Sequence, residues 1–378
     1  MKTITVYYDN TWYTLSWLKQ LLICKKIFRQ KNIRIRINGP DKFVPKMESV
    51  CRPLKTKEEY LQAFSKQHDI VFIAYHHPSG LCGFSAEDRA DCLRVLREHA
   101  ELIVWLDTAD STGTCLFDVL PFVDKYLKKQ LFSDLTLYQK DLYGDRLFTD
   151  YYHNAFGIDD PKAADNFGRL PSQYFDKLGV SWNIGLSDMF SYDKIKRIFR
   201  PGSFQSNPFT NTSDERPFDI QFRSSIQEGI YGYQRRKALE TVKNCPAKTV
   251  DYSVDPHGKA YREEMSRSKA VVSPYGFGEI CIRDFEVFYA GAVLLKPDMS
   301  HIKTYPDWYI PAKTYLPVKW DFSDFEETLN QVVTHRDSAV RIAENAQNLF
   351  RKYRTQEAYK KEFVHHLLSE IGLEEHPS

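Results

Sequence analysis

Apolar positions in the first half of the chain arrive as short β-branched runs separated by longer amphipathic stretches. Lys2 to Tyr8 reads as a strand, and Trp12 to Arg29 has apolar residues at helical spacing before it closes on Lys and Arg. Asn32 to Ile37 alternates Ile with Arg and Asn, the pattern of a second strand. A short helix over Glu58 to Gln67 then leads into a buried strand from Asp69 to Tyr75. Ala86 to His99 reads as a helix and Leu102 to Leu106 as another buried strand, and the spacing from Phe122 to Leu131 predicts a further helix. The stretch from Asp141 to Pro161 is aromatic, polar and irregular, and Ser181 to Gly185 reads as a closing strand and turn. Strands alternating with helices predict a parallel sheet joined by right-handed crossovers.

The pattern then breaks and restarts. Residues 200 to 217 are rich in Pro, Ser, Asn and Thr, the composition of a boundary. Phe218 to Phe222 is a strand, Tyr231 to Asn244 a basic helix and Lys259 to Ser268 a short helix. Ala270 to Val272 is a buried strand, followed by the turn Pro274 to Gly278, a helix from Glu279 to Ala290, a stop at Gly291 and a strand from Ala292 to Leu295. A helix from Phe322 to His335 and two more between Ser338 and Ile371 complete the chain. The expected architecture is α/β, with Rossmann-like domains over residues 1–205 and 216–340, parallel sheets facing across a cleft, and terminal helices over 341–378.

Composition narrows the class. The chain has 378 residues, 42% hydrophobic and 14% aromatic, which is enough for two packed domains. A formal charge of +2 argues against a dedicated nucleic-acid binder. Seven scattered cysteines with no CxxC pair suit a reducing compartment. No signal-peptide pattern follows Met1, and no apolar run approaches the ~20 residues of a membrane span. The reading is a soluble cytoplasmic protein, with peripheral association at the inner membrane face allowed.

The chemistry concentrates at strand ends. Gly276 and Gly278 let the backbone approach a ligand, and the helix that follows offers free N–H groups and a positive dipole end to a phosphate. The spacing is neither GxGxxG nor GxxxxGK[ST]. Lys296 follows four apolar residues, which places its ammonium at the ligand edge of the sheet. In the first half, His76, His77, Asp107 and Asp110 follow buried strands, the usual position of ligand contacts in parallel sheets. Asp107 and Asp110 are the leading candidates for a general base, and as turn formers their ordinary role is capping. Arg235 and Arg236 read first as a solvated helix face. No Asp-x-Asp follows an apolar strand and the His pair has no third ligand at suitable spacing, so no metal site is expected.

The ordered motifs of the second half resemble a known group. Phe222-Arg223-Ser224-Ser225 ends a strand; Gly276 to Gly278 and Arg283 follow; then come Lys296, the run Tyr315 to Val318, and Asp321 to Asp324. This order, over about residues 216 to 350, is similar to GT-B type glycosyltransferases of the capsule-associated and protein O-glucosyltransferase (KTEL-type) group, and to exostosin-like bacterial transferases. The resemblance implies two Rossmann-like domains, a nucleotide-sugar donor as co-substrate with no further cofactor, and transfer to a glycan or lipid-linked glycan such as O-antigen, capsule or lipopolysaccharide. It implies donor contacts from Arg223, Tyr275, Gly276, Phe277, Gly278, Glu279, Arg283 and Lys296, and acceptor contacts from His76, His77, Tyr152 and His153, with Tyr143, Tyr151, Tyr152 and His153 able to stack on sugar rings. Glu279 and Glu286 are separated by six residues rather than the seven of retaining GT-B enzymes, which leaves the anomeric outcome open. A catalytically silent nucleotide- or glycan-binding module and a nucleotide-sugar epimerase are the alternatives on such a fold.

Overall fold

A computed structural model of the chain describes residues 1–9, 11–38, 54–76, 80–160, 168–187, 208–225, 228–250, 252 and 257–374. His77 and residues 200–207 of the polar stretch lie outside the described residues. The chain divides into two compact units. The first comprises Met1–Lys140, Phe167–Ser206 and Thr355–Ser378, and the second Asp141–Asn166 and Asn207–Arg354.

The first unit carries a six-stranded parallel sheet in the order β2-β1-β3-β4-β5-β7. Its strands are β1 (Lys2–Tyr8), β2 (Ile33–Asn38), β3 (His68–Tyr75), β4 (Ala100–Asp107), β5 (Lys125–Lys128) and β7 (Leu178–Val180), with a short β6 (Gln130–Phe132) between the last two. Helices α1 (Trp12–Ile23), α2 (Lys25–Gln30), α3 (Lys57–Phe64) and α4 (Ala86–His99) make the crossovers. Their starts follow local chemistry. Thr11 Oγ1 accepts from Thr14 N at 3.1 Å, Ser85 Oγ accepts from Asp88 N at 3.1 Å, and Thr56 and Glu59 form a capping box. The expected helix from Trp12 to Arg29 is two helices broken at Cys24.

Two expectations fail for one reason, that burial is decided by distant partners. Phe122 to Leu131 is not a helix: Lys125–Lys128 is an interior strand paired with both β4 and β7. Lys128 and Lys129 are buried against acidic partners from β4 and the loop after it. Residues 141–160, left with the first half by their position in sequence, pack in the second unit and contain α5 (Leu147–Phe156). The last helix, in contrast, packs in the first unit. Trp17 and Trp182 stack at 4.0 Å and each donates its indole N–H to the other's carbonyl. Phe363 meets Trp182 edge-on at 5.2 Å.

The second unit holds a four-stranded parallel sheet in the order β12-β10-β9-β8. The strands are β8 (Phe218–Gln221), β9 (Ser268–Val272), β10 (Val293–Pro297) and β12 (Leu316–Val318); a short β11 (Ile302–Thr304) also lies in this part of the chain. Between and after them come α6 (Gly229–Asn244), α7 (Lys259–Ser266), α8 (Ile282–Ala290), α9 (Phe325–Thr334) and α10 (Arg336–Thr355), and α11 (Tyr359–Glu370) ends the chain. Gly291, at φ 64°, supplies the left-handed turn that stops α8 and returns the chain to β10. Among the described residues no helix is long and apolar enough to cross a membrane.

Candidate functional site

The loop between β9 and α8 is built on a buried ion pair. Asp284, in the first turn of α8, accepts from Ser273 Oγ at 2.5 Å, Cys281 N at 3.0 Å and Tyr309 OH at 2.6 Å. Lys296 Nζ approaches the same carboxylate at 3.1 Å and the Ser273 carbonyl at 3.3 Å. Both charged side chains are wholly buried. Lys296 thus lies beneath the loop and does not emerge at the sheet edge, because the carboxylate that compensates its charge sits in the core. Helix α8 begins at Ile282, so Asp284 rather than Glu279 caps it, and the glycines stand a few residues before its first turn.

Two arginines meet at the rim of this loop. A β-carbon on Gly276 would stand 3.8 Å from Arg235 Nη2, an ordinary contact distance, so the guanidinium lies beside the turn. Burial and the nearby Arg283 guanidinium lower the pKa of Arg235, the mark of two cations held close together. Arg235 Nη1 donates to the Ser225 carbonyl at 3.0 Å, and Arg283 donates to the Arg223 carbonyl. Arg223 itself forms a bidentate pair with Glu264 at 2.9 and 2.6 Å and lies over the Tyr252 ring. Its guanidinium is engaged by Glu264, and its carbonyl positions Arg283. Arg236 is exposed on the outer face of α6. Glu286 is half-buried; burial raises its pKa while Arg283 and Arg262 pull it down.

Apolar and polar groups complete the edge. Phe277 is 57% exposed, and its ring lies 5.2 Å from Tyr231, which Arg146 covers at 5.7 Å. Tyr275 is buried and donates to the Asp298 carbonyl at 2.6 Å. Glu279 is wholly buried, with Oε1 at 4.0 Å from Nε2 of His301, a residue that sequence reasoning passed over. A single His in a polar loop carries no periodic signal, and only the fold brings it beside Glu279. Tyr152 is a packing residue: it is wholly buried, donates to the Trp320 carbonyl and accepts from Gln234 Nε2 at 3.0 Å. His153 stacks flat on Tyr143 at 3.8 Å.

The first unit has its own cluster at the carboxyl edge. Its strand order reverses between β1 and β3, the switch point at which doubly wound sheets bind ligands. Asp9 follows β1 and accepts from Thr11 N at 2.9 Å and from His76 N at 2.7 Å. The His76 ring packs on Tyr13 at 4.6 Å, and Tyr13 OH donates to Asp110 Oδ1 at 2.6 Å. Lys129 Nζ reaches Asp110 Oδ1 at 3.0 Å. Burial works to raise the Asp110 carboxyl, but Lys129 and Tyr13 outweigh it and hold the pKa at about 2. Burial lowers the Lys129 ammonium in spite of Asp110, so the pair favours one partner's charge and strains the other's. The Asp110 side chain keeps 39% of its surface exposed, against 7% for Asp107. Asp107 is enclosed by Tyr126 OH at 2.5 Å, Ala109 N at 2.7 Å and Lys128 Nζ at 3.0 Å. The fold therefore brings His76 and Asp110 to one accessible edge and leaves Asp107 beneath it.

No group of three or more His, Cys, Asp or Glu side chains suited to a metal occurs among the described residues. No protein-family profile and no curated protein sequence matches the chain. Solved structures are similar to it at low identity. A glycosyltransferase from Rickettsia africae superposes with a TM-score of 0.50 at 8% identity over 98% of each chain. Anabaena Alr3699/HepE, solved with UDP-glucose, gives 0.47 at 10% identity over 98% of this chain and 100% of that one. A putative UDP-N-acetylglucosamine 2-epimerase from Listeria monocytogenes gives 0.47 at 9% over 100% and 99%. The chain has an α/β fold of GT-B type, with two Rossmann-like units built on parallel sheets.

Proposed function

We propose that the chain is a glycosyltransferase whose second unit binds a nucleoside-diphosphate sugar at the loop from Ser273 to Cys281. The observation that carries this reading is Arg235 beside a glycine turn at the carboxyl edge of a parallel sheet, with the Arg283 guanidinium near enough to lower its pKa. Two close cations repel each other unless an anion lies between them, and a diphosphate presents charge to both. As the glycosidic bond to the donor breaks, negative charge grows on the leaving diphosphate, and preorganised guanidiniums stabilise it. Phe277 and Tyr231 offer aromatic surface beside that charge on which a nucleobase can stack. This arrangement requires no divalent metal.

On the same reading the first unit supplies the acceptor-binding edge. Asp110 accepts the acceptor's hydroxyl proton or orients that hydroxyl, and His76 lies next to the same cluster. The acceptor is a glycan or a lipid-linked glycan of a surface polysaccharide, as the motif order shared with capsule-associated and exostosin-like transferases suggests. Neutral hydroxyls suit an edge whose charges are already paired with one another.

The test is calorimetric binding of UDP, GDP, dTDP and CMP and of their sugar conjugates to the full chain, followed by assay for release of the free nucleotide with a glycan acceptor present. Binding with release of the nucleotide in proportion to sugar transferred supports a transferase. Binding without release marks a silent module, and an isomerised nucleotide sugar as the product marks an epimerase.

A further inference from the structure

His301 lies in the turn between β10 and β11 with its side chain only 9% exposed. The Trp320 indole packs against it at 5.1 Å and the Tyr275 ring at 6.2 Å. Neither ring nitrogen makes a hydrogen bond of good geometry, although the Asp298 backbone lies near enough to favour the protonated ring. The Asp298 carbonyl beside it is already taken, since it accepts Tyr275 OH at 2.6 Å and Trp320 Nε1 at 3.0 Å. Glu279 Oε1 is 4.0 Å from Nε2, beyond hydrogen-bond reach, and its side chain is wholly buried. Leaving a buried polar group unmet costs about 1–3 kcal/mol, and a phenylalanine would occupy the same space without that cost. The unmet nitrogens belong to loops at the carboxyl ends of β9 and β10, where parallel sheets present groups to ligands.

The pair selects the chemistry of its ligand. A neutral imidazole offers one donor and one acceptor, and a carboxylate only accepts. A phosphate, which accepts and carries negative charge, would be repelled by Glu279. A sugar hydroxyl donates and accepts at once, which matches both roles of the imidazole and lets a neighbouring hydroxyl donate to the carboxylate. Burial lowers the His301 pKa against the opposing pull of Glu279 and Asp298, which keeps the ring neutral and both of its hydrogen-bonding roles available.

We infer that His301, together with Glu279, hydrogen-bonds the hydroxyls of the donor's sugar beside the Trp320 indole, making His301 a specificity-determining residue of the donor site. This rests on the reading that the loop from Ser273 to Cys281 binds a nucleotide sugar. It separates the work of the site: Arg235 and Arg283 hold the diphosphate, and His301 distinguishes the sugar.

Calorimetry with the full chain tests it, using UDP, GDP, dTDP and CMP, each free and as a sugar conjugate. His301→Ala should weaken the preferred nucleotide sugar by about tenfold or more, while affinity for the matching free nucleotide changes less than about twofold. His301→Gln, which keeps a donor and an acceptor, should fall between wild type and His301→Ala and guards against a folding defect. Equal losses with and without the sugar overturn the inference, as does a lower melting temperature with both affinities unchanged, the signature of a ring that only holds a buried water. A wild-type chain that binds nothing in the panel overturns the donor-site reading itself.

Discussion

Lys296 Nζ lies 3.1 Å from Asp284 Oδ2, and neither side chain has any exposed surface. The lysine ends an apolar strand and the aspartate opens a helix, so the pair ties β10 to the start of α8 and fixes the loop between them. Lys296→Met removes one partner and leaves a buried carboxylate, a change that typically costs about 3–5 kcal/mol. Urea denaturation should show a loss of that order. A loss below about 1 kcal/mol would mean that the loop is held by its hydroxyl contacts alone.

At the rim of the same loop, Arg235→Ala and Arg283→Ala should each weaken binding of the free nucleotide by about tenfold, as expected for losing a charge-assisted hydrogen bond worth ~1.5–3 kcal/mol. Arg236→Ala, on the exposed face of the same helix as Arg235, should leave affinity unchanged. Titration calorimetry of the three variants separates a phosphate site from a general effect of positive charge. Equal losses in all three would favour the latter.

The two first-unit carboxylates both pair with buried lysines and should differ in their effect on turnover. Asp107→Asn leaves the buried Lys128 ammonium without its counter-charge, so it should lower stability by several kcal/mol. Asp110→Asn also removes the counter-charge of the buried Lys129, so it should lower stability, and in the folded protein it should lower kcat by about 10²-fold, the low end of general-base effects, because a carboxyl held at about 2 is a weak base. Unchanged kcat in Asp110→Asn would move the base elsewhere, with His76 next in order.

Asp110 also predicts an acid dependence. Its folded pKa, about 2, lies below the ordinary aspartate value of about 3.9. The stability it contributes is therefore complete above about pH 4 and lost as pH falls toward 2. The stability difference between wild type and Asp110→Asn should shrink across that window in chemical denaturation series.

The proposed donor site handles charge with arginines, so turnover should survive an excess of EDTA. Complete loss in chelator, restored by magnesium or manganese, would refute that reading of the chemistry.

Much of the site was legible at the level of segments. The apolar run from Ala270 to Val272, the turn at Gly276 and Gly278 and the stop at Gly291 describe a strand, loop and helix without reference to the rest of the chain. The identity of the working groups was less legible. Arg235 had the look of a solvated helix residue, and His301 gave no signal at all. Arg223 and Lys296 read as ligand contacts, yet one is committed to Glu264 and the other to Asp284.

What the sequence determined by itself was the alternation of strands and helices, and with it two parallel sheets, because periodicity and turn chemistry act over a few residues. Only the tertiary structure decided where the charges went. Lys128 meets Asp107 across 21 positions, and Lys296 meets Asp284 across 12. Burying a lysine is unfavourable until its carboxylate is placed beside it, and that placement is made by the sheet and not by the neighbouring residues. The same rule placed an interior strand, Lys125–Lys128, where a helix from Phe122 to Leu131 was expected.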